Sequence, residues 1–306
     1  MDFRAIGRQV SNWGRWDDGD ARDERGTTNL LTPERIARGA TYIRTGRVFD
    51  LGIPFGPDGP QPGGGRINPV LLFSETGAGQ RFPGAFHYAD DYVFMPLQSA
   101  SQWDGLAHVY YDEQLYNGFP SSSVGPRGAS HCGIDKQAKG VAGRGVLLDV
   151  ASYRGVDWLD MGEVITPDEL DAVAAEQGCA ILPGDVLAIR TGWRKKFLAE
   201  GDPNAFMAGE PGLGLACCPW LAEREVAAVC ADNWAIEVLP GELDDEMLPV
   251  HMVLIRDMGM TLGEILDFEE LATDCAADDR YEFFFCAPPI KFRGAVGSPI
   301  NPLAIK

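Results

Sequence analysis

Residues 98–108 read QSASQWDGLAH, and the reading of this stretch decides both the fold and the chemistry of the 306-residue chain. A strand-like aromatic and apolar run, Tyr92-Val93-Phe94-Met95-Pro96-Leu97, leads into it. The stretch then sets Gln98, Gln102, Asp104 and His108 at offsets of zero, four, six and ten. These offsets share parity, so in an extended segment the four side chains project to one side; if the segment loops, Gly105 supplies the bend. Either way, polar groups converge on one point within a stretch otherwise apolar enough to be core. A hydrogen-bonded polar cluster inside a barrel-like core would produce the same pattern as a reactive centre.

Outward from this stretch, residues 66–150 carry short apolar runs separated by turn signals, which suits strands, and GVLLDV at 145–150 reads as a buried one. Residues 47–55 and DVLAIRTGW at 185–193 read as further strands. Thr32-Pro33-Glu34 places a capping hydroxyl before a first-turn proline, predicting a helix that runs to Gly46; Thr166-Pro167-Asp168-Glu169 predicts another through Gln177, stopped by Gly178. The last third predicts a helix over 219–226, a strand over 227–230 and a helix over 249–258 closed by Gly259. An extended piece into Glu264 and a strand over 281–287 follow. Strands and helices interleave without a regular βαβ rhythm, so the class is mixed α/β rather than doubly wound. The glycine- and proline-rich GPDGPQPGGGR at 56–66 reads as a lid-like loop. Trp13 and Trp16 give the polar N-terminus too much aromatic surface for a free tail. Residues 1–45 are therefore read as an arm and first helix docked on the body or on a neighbour, and 46–306 as a single domain.

With 45 acidic against 26 basic residues and a net charge of −19, the chain has no general positive field for a phosphate backbone, so nucleic acid is excluded as the expected partner and anionic membrane surfaces are disfavoured. There is no run of roughly 18 apolar residues and no secretory leader pattern, and the seven cysteines form no C-x-x-C. A cytoplasmic protein with free thiols is expected. The glycine-rich GPRGASHCG and PGLGLA lack the context of a nucleotide loop, and no G-x-S-x-G elbow occurs. His131 and Cys132 are adjacent and would face apart on an extended chain. Catalysis by His, Asp and Glu, with or without a metal, remains, and the chain has four histidines: His87, His108, His131 and His251.

The 98–108 segment resembles the motif His-x-Gly-Thr-His-x-Asp-x-x-x-His of the cyclase family of metal-dependent hydrolases, the group that includes kynurenine formamidase and isatin hydrolase. Gln98 and Gln102 stand at the first two histidines, and Asp104 and His108 match. PVHMVLIRDMGMTLGEILDFEEL supplies His251 and Glu264 in the context of the family's downstream His and Glu. NWGRW, GTTNLLTPE and GSPINP resemble a longer-chain branch that includes trans-dienelactone hydrolase-like proteins. The resemblance implies a swivelling β/β/α-type α/β fold around a barrel-like, mostly antiparallel sheet, and a homodimer or homotetramer. It implies a divalent metal and hydrolysis of a small-molecule cyclic amide, imide or lactone, or of an N-acyl bond. By position, Gln98, Gln102, Asp104, His251 and Glu264 are its expected metal ligands. His108 is its acid/base, with Asp104 and Glu264 also placed in the catalytic set. Two carboxamides in place of imidazoles leave an oxygen-dominated donor set, which favours Mn²⁺ over Zn²⁺. Trp103 and His87 are candidate substrate contacts. A family member that has lost its metal and only binds a small molecule, or a metal-free isomerase or lyase, are the competing readings.

Overall fold

The computed structural model describes residues 1–79, 82–137 and 139–306. Its centre is a nine-stranded sheet in the spatial order Val48–Asp50, Leu303–Ile305, Glu282–Cys286, Ala142–Asp149, Val186–Arg190, Ala228–Ala231, Thr261–Glu264, Gln102–Asp104, Gly297–Pro299. Five of the eight pairings are antiparallel, and the three parallel ones join the four central strands. A parallel centre must be covered on both faces, and Val186–Arg190 and Ala228–Ala231 are accordingly buried at every position. Alternation sorts the side chains. Leu187 and Ile189 join one core with helix residues Leu170, Val173, Leu221 and Val253, while Val186 and Ala188 face a second core with Phe49, Trp103, Phe283 and Phe285. The mixed α/β class with a curled, mostly antiparallel sheet is the architecture expected from the sequence.

The capping signals work as read. Thr32 Oγ1 accepts from the Arg35 amide and Thr166 Oγ1 from the Glu169 amide, opening the helices Pro33–Ala40 and Pro167–Glu176. Gly178 and Gly259, with φ of +64° and +69°, follow the ends of their helices in the left-handed conformation that glycine adopts without strain. The first of the two helices is shorter than expected. It stops at Ala40, where the Thr41 and Tyr42 amides turn back onto the Arg38 and Gly39 carbonyls, six residues before Gly46. The N-terminal arm docks on the body: Phe3 and Val10 of the helix Phe3–Val10 are buried, and Trp13 Nε1 donates to the Arg256 carbonyl at 2.8 Å. The seven cysteines are free, and no helix among the described residues is long and apolar enough to cross a membrane.

The run before the opening stretch departs from its expected place. Residues Val70–Glu75 and Asp90–Phe94 form a separate two-stranded antiparallel hairpin, exposed at nearly every position, and the segment becomes buried only from Gln98 onward.

Candidate metal centre

Gln102 and Asp104 lie two apart on one strand, so their side chains share a face, and the neighbouring strand Thr261–Glu264 sets Glu264 directly opposite Gln102. This cross-strand pair is closed by the Gln102 Nε2 amide, which donates to Glu264 Oε2 at 2.5 Å. His251 comes from the segment just before, where the short helix Pro249–His251 runs into the π-helix Met252–Met258; π-helical turns are uncommon and recur at functional sites. Its Nε2 lies 3.0 Å from Glu264 Oε1 and 4.0 Å from Asp104 Oδ2. One donor atom from each of Asp104, His251 and Glu264 lies within 4.8 Å of the other two. His108 approaches from the turn after the strand, its Nε2 3.6 Å from Asp104 Oδ2. Its side chain is 20 % exposed, whereas those of Asp104, His251 and Glu264 are 2–3 % exposed. The centre is thus a buried acidic cluster with an imidazole at its open side.

Two residues without a sequence signal hold it in place. Glu237 caps the His251 helix from another segment, accepting from the Val250 and His251 amides at 3.1 and 2.8 Å, while its Oε1 also meets His251 Nδ1 at 2.6 Å. A carboxylate at a helix N-terminus is favoured by the unpaired amides and the helix dipole. Here it also fixes the imidazole so that Nε2 faces the acidic pocket, the orienting contact that metal-binding histidines commonly have. Glu210, buried in turn, accepts from the Trp234 and Ala235 amides at 2.7 Å each and anchors the loop that carries Glu237. Burial holds the Glu210 carboxyl well above the ordinary carboxylate range.

The electrostatics follow from packing acids together. Burial, then the neighbouring Glu264 charge, push the Asp104 carboxyl up to about 6, against the opposing pull of His108, His251 and Arg66. Burial works against the charged form of His251, but hydrogen bonds to Glu237 and Glu264 on its two ring nitrogens outweigh it and raise its pKa well above the ordinary value. Asp104 Oδ1 and Gln102 Oε1 are buried without a hydrogen-bond partner. Two orphaned acceptor oxygens beside a carboxylate and an imidazole are the arrangement that a divalent cation would satisfy, since unpaired buried acceptors are costly.

Gln98 flanks this set. Its amide lies against Gly297, which pairs opposite Asp104, and a side-chain carbon at Gly297 would occupy the place of Gln98 Nε2. That amide nitrogen is buried and unpartnered, while the Gln98 carbonyl accepts from Arg66 at 3.3 Å. Two candidate substrate contacts fall elsewhere. Trp103 points to the opposite face, is fully buried, donates its Nε1 to the Ala287 carbonyl at 2.7 Å and packs edge-on against Phe285. It is a core residue, as its odd place between Gln102 and Asp104 requires. His87 sits in the exposed loop of the hairpin, outside the cluster. His131 stacks on Phe119 and pairs with Glu24, and Cys132 beside it is buried, so both belong to local packing.

Residues 49–238 match the family described as Cyclase. A crystal structure described as a novel cyclase superposes with a TM-score of 0.90 at 41 % identity, covering 98 % of this chain and 99 % of that one. Isatin hydrolase A from Labrenzia aggregata, solved with benzyl benzoate, gives 0.63 at 18 % identity over 89 % of this chain and 97 % of its own. A "predicted metal-dependent hydrolase" from Bacillus stearothermophilus gives 0.54 at 16 % over 84 % and 97 %. The last two similarities establish a common fold. No curated protein matches the sequence. The family match over most of the body and the close likeness of the whole chain to the novel cyclase together make this chain a member of the Cyclase family.

Proposed function

We propose that the protein is a divalent-metal-dependent hydrolase that opens a small cyclic amide, imide or lactone, or cleaves an N-acyl bond. The observation that carries this reading is the convergence of Asp104, His251 and Glu264 around two orphaned oxygens, with His108 at the open side. Asp104, His251, Glu264 and the Gln102 carboxamide oxygen would hold the ion, with Gln98 as a flanking donor. Oxygen donors of two kinds, carboxylate and carboxamide, set against one imidazole favour Mn²⁺ before Zn²⁺. When bound, such an ion lowers the pKa of water and polarises a carbonyl.

The chain's own groups supply the rest. His108, near solvent and beside Asp104, takes a proton from the attacking water on its ring nitrogen. The water oxygen adds to the carbonyl carbon. As the C–N or C–O bond breaks, His108 returns the proton to the leaving nitrogen or oxygen. With Glu237 facing His251 Nδ1, Nε2 is the ring nitrogen that would give up its proton and its contact with Glu264 to hold the ion. The likeness to isatin hydrolase is a likeness of fold, and it makes small cyclic amides the first compounds to assay.

The test is turnover of a panel of lactones, imides and N-acyl amines before chelation, after it, and after Mn²⁺ or Zn²⁺ is restored. Activity is expected to vanish on chelation and return with Mn²⁺. His108→Ala is expected to lower kcat by at least about a hundredfold while circular dichroism is unchanged. Full activity in that variant removes His108 as the base, and turnover indifferent to chelators replaces the hydrolase with a metal-free isomerase or lyase.

A further inference from the structure

The glycine- and proline-rich loop before Asn68 is tied to the body and carries a cation to the edge of the acidic centre. Asn68 Nδ2 donates to the Pro57, Gly59 and Gln61 carbonyls at 3.0, 2.9 and 3.1 Å, and its Oδ1 accepts from the Gln61 amide at 2.9 Å. Buried Gln61 reaches the body, its Nε2 donating at 3.1 Å to the carbonyl of Ser99, the residue after Gln98. Gly63 and Gly64, with φ of +95° and +88°, let the chain double back so that Gly63 bridges to Arg66. Arg66 therefore extends from an ordered backbone.

The surroundings of its guanidinium are short of acceptors. It donates to the Gln98 carbonyl at 3.3 Å and lies over the Trp234 ring, 5.5 Å from the ring centre. Trp234 packs on Ala100 and Ile265, close in the chain to Gln102 and Glu264. Arg66 is half-buried, yet among the described residues it forms no ion pair, in a chain with 45 acidic residues. Its charge still reaches Asp104, whose carboxyl it pulls down together with His108 and His251. A cation that Asp104 feels but does not pair with faces the centre across a gap. Two further donors beside it, Gln98 Nε2 and Trp234 Nε1, are buried without a partner. Unpaired buried donors are costly, and a planar guanidinium fork with spare N–H groups next to it is the counterpart of a carboxylate.

We propose that Arg66 is a specificity-determining residue and that the substrate is a small lactone or cyclic amide bearing a carboxylate apart from its scissile carbonyl. This rests on the hydrolase reading above and narrows it. The carboxylate docks on the Arg66 guanidinium beside Trp234, which turns the scissile carbonyl toward Asp104, His108 and His251. The same positive charge draws an anion into a pocket whose Asp104, Glu237 and Glu264 would otherwise repel it, on a chain of net charge −19.

The test uses two pairs of probes that differ by one carboxylate, γ-butyrolactone with its γ-carboxylate and pyrrolidinone with pyroglutamate. Calorimetry measures their binding to the full chain with and without Mn²⁺, and kcat and KM are measured wherever a probe turns over. Arg66→Gln and Arg66→Lys are compared with wild type and with Arg44→Gln, which removes one charge at an exposed position outside the site. Wild type and Arg44→Gln are expected to favour the carboxylated member of a pair by at least about tenfold in Kd or KM. Arg66→Gln is expected to lose that preference and Arg66→Lys to keep part of it, with circular dichroism unchanged. A wild type without the preference overturns the proposal, as does a preference that survives in Arg66→Gln. So does an Arg66→Gln that lowers kcat alike for both members of a pair, which would put the guanidinium on the reacting carbonyl. Arg66-dependent preference in binding without any turnover sustains the proposal and removes the hydrolase reading; turnover without preference does the reverse.

Discussion

Asp104 bears the cost of the centre. Its ordinary pKa of 3.8 rises to about 6 because burial, helped by Glu264, disfavours the charged form. A carboxyl raised on folding adds stability that is complete below about pH 4 and is lost as pH climbs through 6, so at pH 8 the ionised Asp104 weighs against the folded state. Asp104→Asn keeps the shape without the charge. The metal-free variant is therefore expected to be more stable than metal-free wild type by about 1–3 kcal/mol at pH 8, and to lose this advantage below about pH 4. Denaturant titrations at the two pH values check it; a variant no more stable at pH 8 would contradict the electrostatic reading. At this scale the sequence exposes what is local. The spacing of Gln102, Asp104 and His108 fixes two side chains on one face and a third a turn away. The same parity sends Trp103 into the core, so its assignment to substrate was already excluded by the rule that grouped its neighbours. Glu237 left no trace, because its partner is fourteen residues on and the two meet only through tertiary packing.

Elements were legible where their ends are written in side-chain chemistry. Threonine caps, first-turn prolines and terminal glycines located the starts of the helices at 33 and 167 and the helical segment 249–258, though not the early end of the first helix at Ala40, and short apolar runs located the central strands. The π-helical winding of Met252–Met258 and the separation of the hairpin from the body were not legible, since nothing in residue type distinguishes an apolar strand that finds a core from one that does not. The close pairing of Gln102–Asp104 with Thr261–Glu264 depends on Gly263. A carbon added there would lie 2.6 Å from Cys230 Sγ and 2.7 Å from the Trp103 ring. Gly263→Ala is expected to destabilise the fold by about 1–3 kcal/mol through overpacking and to disturb the Gln102–Glu264 pair beside it. A thermal melt matching wild type would show that the two strands have slack that the packing does not suggest.

For the whole molecule, class was legible before topology. Mixed α/β character followed from the irregular alternation of strand and helix signals. The strand order could not follow, because the site is assembled by pairing segments 157 residues apart in the chain. That pairing is the reason a carboxylate, an imidazole and a second carboxylate meet in one buried pocket, and the account rests on their holding a metal ion. The most direct measurement is elemental analysis of chelator-stripped protein dialysed against Mn²⁺ and then freed of unbound metal, for wild type beside Asp104→Asn. The account predicts a single retained ion per wild-type chain and almost none in the variant; equal retention by both, or none by the wild type, would contradict it.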